Sequence, residues 1–419
     1  MTIRSSNVKI WAGIILSVML AGPAIVLGLS GHPLTPEATI IIFGIAILSA
    51  SLLLTWGAEV AQLDLSASLS IAILAIIVIL PEFAIEWILA WQAGQSPEDP
   101  QTIARVAAAV TGSNRLLIGI GWAIVGLIFW AKSRNNLETH GSIRLELWLL
   151  GLATIITFLI FPLQQIGLVL GIILISVYLV YLWLSSKTQK ESPTLVGPSA
   201  AIGALPTLPR RLVVLFLLTY SAIAIFASAK PFIDGLIGLG RATGVDDFIL
   251  IQWLAPMATE IPEIMIAVIF TLRGNQIQGL RVLISAELNQ LALLLGTLPL
   301  VYSLSLGQIS GINLENQQIV EFLLMSSMSL FAVILLAKGF LPWKGCLILL
   351  LIFVTHLFFT SPDIRLIYVF LLIGLTGFLL ITDKYRIIHL IKMSQYVYNL
   401  STGNKRNSHL LSEDSIDEA

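Results

Sequence analysis

Apolar residues occupy the chain in long blocks separated by short polar breaks, at roughly 9–30, 38–60, 66–93, 101–131, 144–163, 165–185, 209–234, 246–272, 278–305, 317–337, 343–360 and 363–382. Most of these blocks reach the ~20 residues that a helix needs to cross a bilayer. The pattern predicts an all-α polytopic membrane protein of about twelve spans. The first block follows Arg4 and Lys9 as a signal peptide would. Its apolar core is too long for one and no small-residue cleavage site is evident, so a retained helix is expected.

The polar breaks predict an orientation. With the N-terminus in the cytoplasm, the inner connections hold Lys132, Arg134, Arg144, Lys187, Lys190, Arg210, Arg211, Arg273, Arg281, Lys338, Lys344 and the basic residues from Lys384 to Arg406. The outer ones hold Glu37, Glu98, Asp99, Glu315 and Asp363, with Arg241 and Arg365 as basic exceptions. Cytoplasmic loops carry an excess of Lys and Arg. Both termini are therefore expected in the cytoplasm, on a plasma membrane of bacterial type. The connection 186–208, with Pro193, Gly197, Pro198 and Pro206, reads as a linker too short for a domain, and 386–419 as a cytoplasmic tail, polar and disordered from about Asn404.

Composition agrees with this picture. Of 419 residues, 57% are hydrophobic and 11% charged, more apolar surface than a soluble chain of this length could hide. The net charge of −1 and the absence of a basic patch argue against a nucleic-acid partner and leave the lipid bilayer as the expected surroundings. A single cysteine, Cys346, rules out an intrachain disulfide and multi-thiolate metal sites. The histidines are scattered without metal-ligand spacing. Phosphate loops, nucleophile elbows and dinucleotide fingerprints are absent, so no enzyme and no cofactor are expected, and an ion gradient must drive any transport. Tryptophans near span ends, such as Trp56, Trp130 and Trp183, fit an aromatic belt.

The candidate chemistry lies inside the blocks. The stretch Ala255–Glu263 places Glu260 and Glu263 beside Pro256 and Pro262 in a spanning segment. A charged side chain at bilayer depth costs about 2.5–3.5 kcal/mol on insertion scales and is usually functional. Pro262 has no N–H to give the carbonyl of Ala258, one turn before Glu263, and oxygen-rich surroundings suit a hard cation. Pro81 and Glu82 repeat the device, with the carbonyl of Ile77 freed. Glu86 shares the face of Glu82 one turn on. Glu59, Asp64, Asp246 and Asp247 read as helix caps or interface charges.

Aligning Pro81-Glu82 with Pro262-Glu263 exposes an internal repeat. Upstream, Gly57–Glu59 and Phe232–Gly235 each look like a short polar break. Downstream, Gly112-Ser113-Asn114-Arg115 and Ser285–Gln290 open further apolar runs containing Gly119 and Gly121, and Gly296. An odd number of spans per half, about five, inverts the second copy relative to the first, as the charge pattern requires. The expected segments are an extra helix in 1–37, a first repeat at 38–185, the linker 186–208, a second repeat at 209–360, an extra helix at 361–385 and the tail 386–419.

Paired repeats carrying Pro-Glu in one helix and Gly-Ser-Asn in the next resemble the sodium/calcium exchanger family of the cation/calcium antiporter superfamily. The resemblance implies an inverted-repeat core that binds Ca²⁺ and its counter-ion near the midplane. In the family the motifs read Gly-Thr-Ser-x-Pro-Glu and Gly-Ser-Asn/Asp-x-Phe-Asn. Glu82 and Glu263 match the acidic ligands, Asn114 the amide ligand and Thr259 the threonine, and Glu287 stands where some members carry an acid. Val78, Ile79 and Leu117 depart from the pattern in the first repeat, Glu260 and Gln290 in the second. Hydroxyls that serve Na⁺ sites are fewer, and Glu260 is a natural proton carrier. The resemblance implies a secondary antiporter exchanging Ca²⁺ for Na⁺ or H⁺, with Glu82, Asn114, Thr259, Glu260, Glu263 and Glu287 around the ion. The alternative is a diverged exchanger-like scaffold or cation sensor. Arg115 is expected to pair with Glu260 or Glu86.

Overall fold

The computed structural model describes residues 2–30, 34–64, 80–139, 141–188 and 195–402, with backbone alone for 2–9 and 29. The first part of the predicted span 66–93 lies outside the described residues, with Ile77, Val78 and Ile79, and so do part of the linker and the tail beyond Thr402. A helix stands in each of the twelve expected places. Ten are long and apolar enough to cross a membrane; Trp343–His356 is shorter, and Leu80–Gln95 is the described part of its block. The chain divides into two compact units, 1–89 with 189–262, and 90–188 with 263–419. The division passes through two continuous helices, Leu80–Gln95 and Asp247–Leu272.

In the first unit, Pro36–Ala61 packs along the 37-residue helix Thr207–Thr243. Glycine permits the close approach. A Cβ at Gly235 would stand 3.0 Å from the Thr39 side chain, and one at Gly28 only 2.4 Å from the Ala227 carbonyl oxygen. Neither expected polar break exists. Gly57–Glu59 and Phe232–Gly235 are both helix interior, because Lys230 and Asp234 pair at 2.6 Å along one face and Gly235 faces a neighbouring helix. Glu59 lies in the last turn of Pro36–Ala61 and is no N-terminal cap, and Asp64 follows three residues beyond that helix. The Glu59 carboxylate accepts from the Ser199 hydroxyl, and Asp64 accepts from Arg210 at 2.9 Å and Arg211 at 3.0 Å, tying the described end of the linker to this helix.

The second unit carries the mark of the inverted duplication. Residues Leu137–Glu138 precede the helix Arg144–Thr157, and Gln165–Ile166 follow it. In the second repeat, Ile312–Asn313 precede Asn316–Leu336 and Phe340–Leu341 follow it. The segment before one helix pairs antiparallel with the segment after the other, at both ends. Equivalent helices of the two repeats therefore run in opposite directions, and hydroxyl pairs along them fall in antiparallel order, Thr154 with Ser329 and Thr157 with Ser326, each at 2.8 Å. A parallel duplication would pair like ends. The C-terminal segment is not all tail: Tyr385–Thr402 is a helix seated by Met393 and Val397, and Arg386 donates to the Ile334 and Leu335 carbonyls that end Asn316–Leu336.

Candidate cation site

Asp247–Leu272 starts where Asp246 accepts a hydrogen bond from the Phe248 amide at 3.0 Å, the cap expected of it. Pro256 and Pro262 remove two amides from its ladder without ending the helix. The interruption expected here is thus a loss of bonds and not of helix. One hydroxyl, that of Thr259, faces two acceptors, the Pro256 carbonyl at 3.3 Å and Glu260 Oε1 at 3.2 Å, and it can donate to one at a time.

Glu260 and Glu263 project one turn apart from this helix, and Glu82 comes from the described helix Leu80–Gln95. One carboxylate oxygen from each lies within 4.8 Å of the other two. Among the described residues this is the one group of three or more His, Cys, Asp or Glu close enough to share a metal ion. All three acids are buried, with Glu260 0% exposed. Glu86 is buried on the same helix as Glu82 but stands outside the group.

Asn114 and Glu287, both in the second unit, form a further polar pair. Asn114 ends the helix Pro100–Leu116, whose first turn is capped by Asp99 accepting from the Gln101 amide at 3.1 Å; Glu287 lies near the end of Gln276–Asn289. The two side chains are neighbours, both fully buried, yet neither amide atom of Asn114 and neither carboxyl oxygen of Glu287 has a hydrogen bond of ordinary geometry. Buried polar atoms so placed cost about 1–3 kcal/mol each, and this donor set has the chemistry of a hard-cation shell. Three residues after each, the helix widens into a π turn, Leu117–Trp122 and Gln290–Leu294. Leu117 and Gln290, matched by the repeat alignment, each open one, so the two copies share this irregularity in register. Single π turns inside α-helices cluster at functional sites.

Arg115 has a partner that the sequence reading did not name. It pairs with Glu321, on Asn316–Leu336, at 2.6 Å. Glu321 lies inside the apolar block 317–337, so the rule that singled out Glu82, the cost of charge at bilayer depth, is the signal that could have found it. Arg365, read as an outer-loop residue, is 1% exposed and also pairs with Glu321. Cys346 is a free, buried packing residue against Gly126, as expected.

A profile of the family described as "Sodium/calcium exchanger protein" matches residues 37–187 and 213–361. Among solved structures, the H⁺/Ca²⁺ exchanger CAX is similar with a TM-score of 0.89 and 31% identity, over 94% of this chain and 99% of that one. The structure of native YfkE is similar with a TM-score of 0.62 and 14% identity, over 84% of this chain and 99% of that one. The sodium-calcium exchanger NCX_Mj, soaked with Na⁺ and Sr²⁺, gives 0.52 and 17%, over 79% and 98%. At those lower identities the likeness is one of fold. No curated protein matches.

Proposed function

Because this chain belongs to the sodium/calcium exchanger family, we propose that it is a secondary antiporter exchanging Ca²⁺ for H⁺, with Glu82, Glu260 and Glu263 as the cation-binding acids. The observation that carries the reading is the grouping of these three buried carboxylates within 4.8 Å. Ca²⁺ takes six to eight oxygens at about 2.3–2.6 Å. Three carboxylates supply up to six, and the Thr259 hydroxyl and the carbonyl released by Pro262 lie on the same helix. Asn114 and Glu287 add amide and carboxylate oxygens that we assign to cation binding within the second unit.

Exchange follows from charge balance. Three like charges held together in low dielectric need either protons or a cation to neutralise them. Ca²⁺ entering a protonated site forms carboxylate–Ca²⁺ contacts and releases the protons; protons entering from the other side release Ca²⁺. A site bearing neither is too highly charged to change its exposure, so each ion's movement is tied to the other's. No covalent bond is made or broken, and the protein is a transporter and not an enzyme. Two observations favour H⁺ over Na⁺: the 31%-identical relative CAX is an H⁺/Ca²⁺ exchanger, and an acid, Glu260, stands where the family pattern carries a serine. The positive-inside pattern supports both termini in the cytoplasm of a bacterial-type plasma membrane.

Radioactive Ca²⁺ uptake into proteoliposomes tests this. Acid-loaded vesicles should take up Ca²⁺, Na⁺-loaded and unloaded ones at neutral pH should not, and Glu263→Gln should reduce uptake about 10²-fold or more in a protein that still purifies folded. Uptake driven by Na⁺ alone would replace the proton with sodium. No uptake under any gradient would return the chain to the scaffold reading.

A further inference from the structure

Three buried ionic side chains, one of them on the helix that carries Asn114, have no part in the exchange described above. Arg115 directly follows Asn114 and is 0% exposed. Its guanidinium is fixed on its own helix one turn back, with Nε donating to the Thr111 carbonyl at 2.7 Å and Nη2 to the Thr111 hydroxyl at 3.1 Å. Nη2 also donates to Glu321 Oε2 at 2.6 Å. The other oxygen of Glu321, itself fully buried, pairs with Nη1 of Arg365. Arg365 lies in the first turn of Pro362–Thr382, and its Nε donates to the Phe359 carbonyl at 3.0 Å.

Such a network is a poor device for stability. Desolvating three ions is costly, and well-packed apolar side chains of similar volume are often as stable or more so. What it offers is geometry. A guanidinium fork bound on two sides fixes the rotation of the helix that carries it. Here that helix presents Asn114 one residue earlier and enters its π turn two residues later. The family match ends at residue 361, so Arg365 reaches this network from a helix beyond the matched core.

We infer that Glu321 and Arg365 are positioning residues for cation binding, setting through Arg115 where the Asn114 amide stands. The inference rests on the antiport reading of Asn114. It makes Pro362–Thr382 a working part of the transporter and not an appended span.

Half-saturating Ca²⁺ and maximal rate, measured in proteoliposomes, test it. Arg365→Met should raise half-saturation about tenfold or more, as loss of an outer-shell partner does at metal sites, and leave the maximal rate within about twofold. Arg365→Lys, which keeps the charge, should recover most of the affinity. Asn114→Ala combined with Arg365→Met should weaken binding little more than Asn114→Ala alone, because both act on one amide. Should Arg365→Met fail to fold, Thr111→Val removes one anchor of Arg115 without removing a charge, and a smaller rise is expected. Wild-type half-saturation in the folded variants, or full additivity with Asn114→Ala, would overturn the network's role while leaving antiport intact. A wild-type protein that moves no Ca²⁺ would overturn both.

Discussion

At the scale of single residues, the acids were readable and their partners were not. Glu82, Glu260 and Glu263 declare themselves because charge is expensive in an apolar block. Arg115 declares itself equally, but Glu321 is two hundred residues away in sequence, and nothing local distinguishes it from Glu260 or Glu86 as a counter-charge. Asp64 shows the same limit. Local reading makes it a helix cap or an interface charge and names no partner, and in the fold it holds Arg210 and Arg211. The Arg210 hydrogen bond, its largest influence, holds the Asp64 carboxyl below the ordinary carboxylate value. A depressed folded-state value means stabilisation that is present above the unfolded value, about 3.9, and lost as pH falls through the folded one. Asp64→Asn should therefore lower the melting temperature at neutral pH, and the difference from wild type should shrink as the pH drops below about 4. A difference independent of pH would show that the carboxylate charge has no role there.

Among elements, the spanning helices were legible in outline, since a span's length is dictated by the bilayer and its composition by lipid, whereas the helix Tyr385–Thr402 was read as tail. The errors fell on irregularity. Polar residues suggested breaks at Gly57–Glu59 and Phe232–Gly235, but a helix tolerates such residues when an i,i+4 ion pair and a close-packed neighbour accommodate them. Conversely the π turns after Asn114 and Glu287 left no compositional trace, because widening a helix by one residue is decided by what packs against it. Gly119 shows how tightly: a Cβ there would sit 2.4 Å from Phe353 Cβ. Gly119→Ala should cost about 1–3 kcal/mol of stability by overpacking. Phe353→Ala in the same chain should return part of the Gly119 deficit when melting is followed in detergent; no interaction between the two changes would mean that the helices part without cost.

For the whole molecule, inversion is the property from which access to both sides of the membrane derives. Two copies of one helical plan running in opposite directions present equivalent chemistry to both sides of the membrane, and antiport through such a core has no built-in direction. Reversing the imposed pH gradient should thus reverse net Ca²⁺ flux in the same vesicles, with Ca²⁺ leaving when the exterior is acidified. Flux in one direction alone, in vesicles where the protein is inserted both ways, would contradict obligatory exchange.

The sequence by itself determined the class of molecule, the places of the spanning helices, the duplication with its inversion, and the acidic residues proposed for the site. Those features follow from local physics: hydrocarbon thickness, the cost of buried charge, proline's missing amide and the bias of basic loops. Only the tertiary structure decided that Glu82 meets Glu260 and Glu263, that Asn114 faces Glu287, and that Arg115 is held by Glu321 and Arg365. Each of these is a choice of partner among distant side chains of the same type. Helix packing makes that choice, and it depends on the whole chain at once.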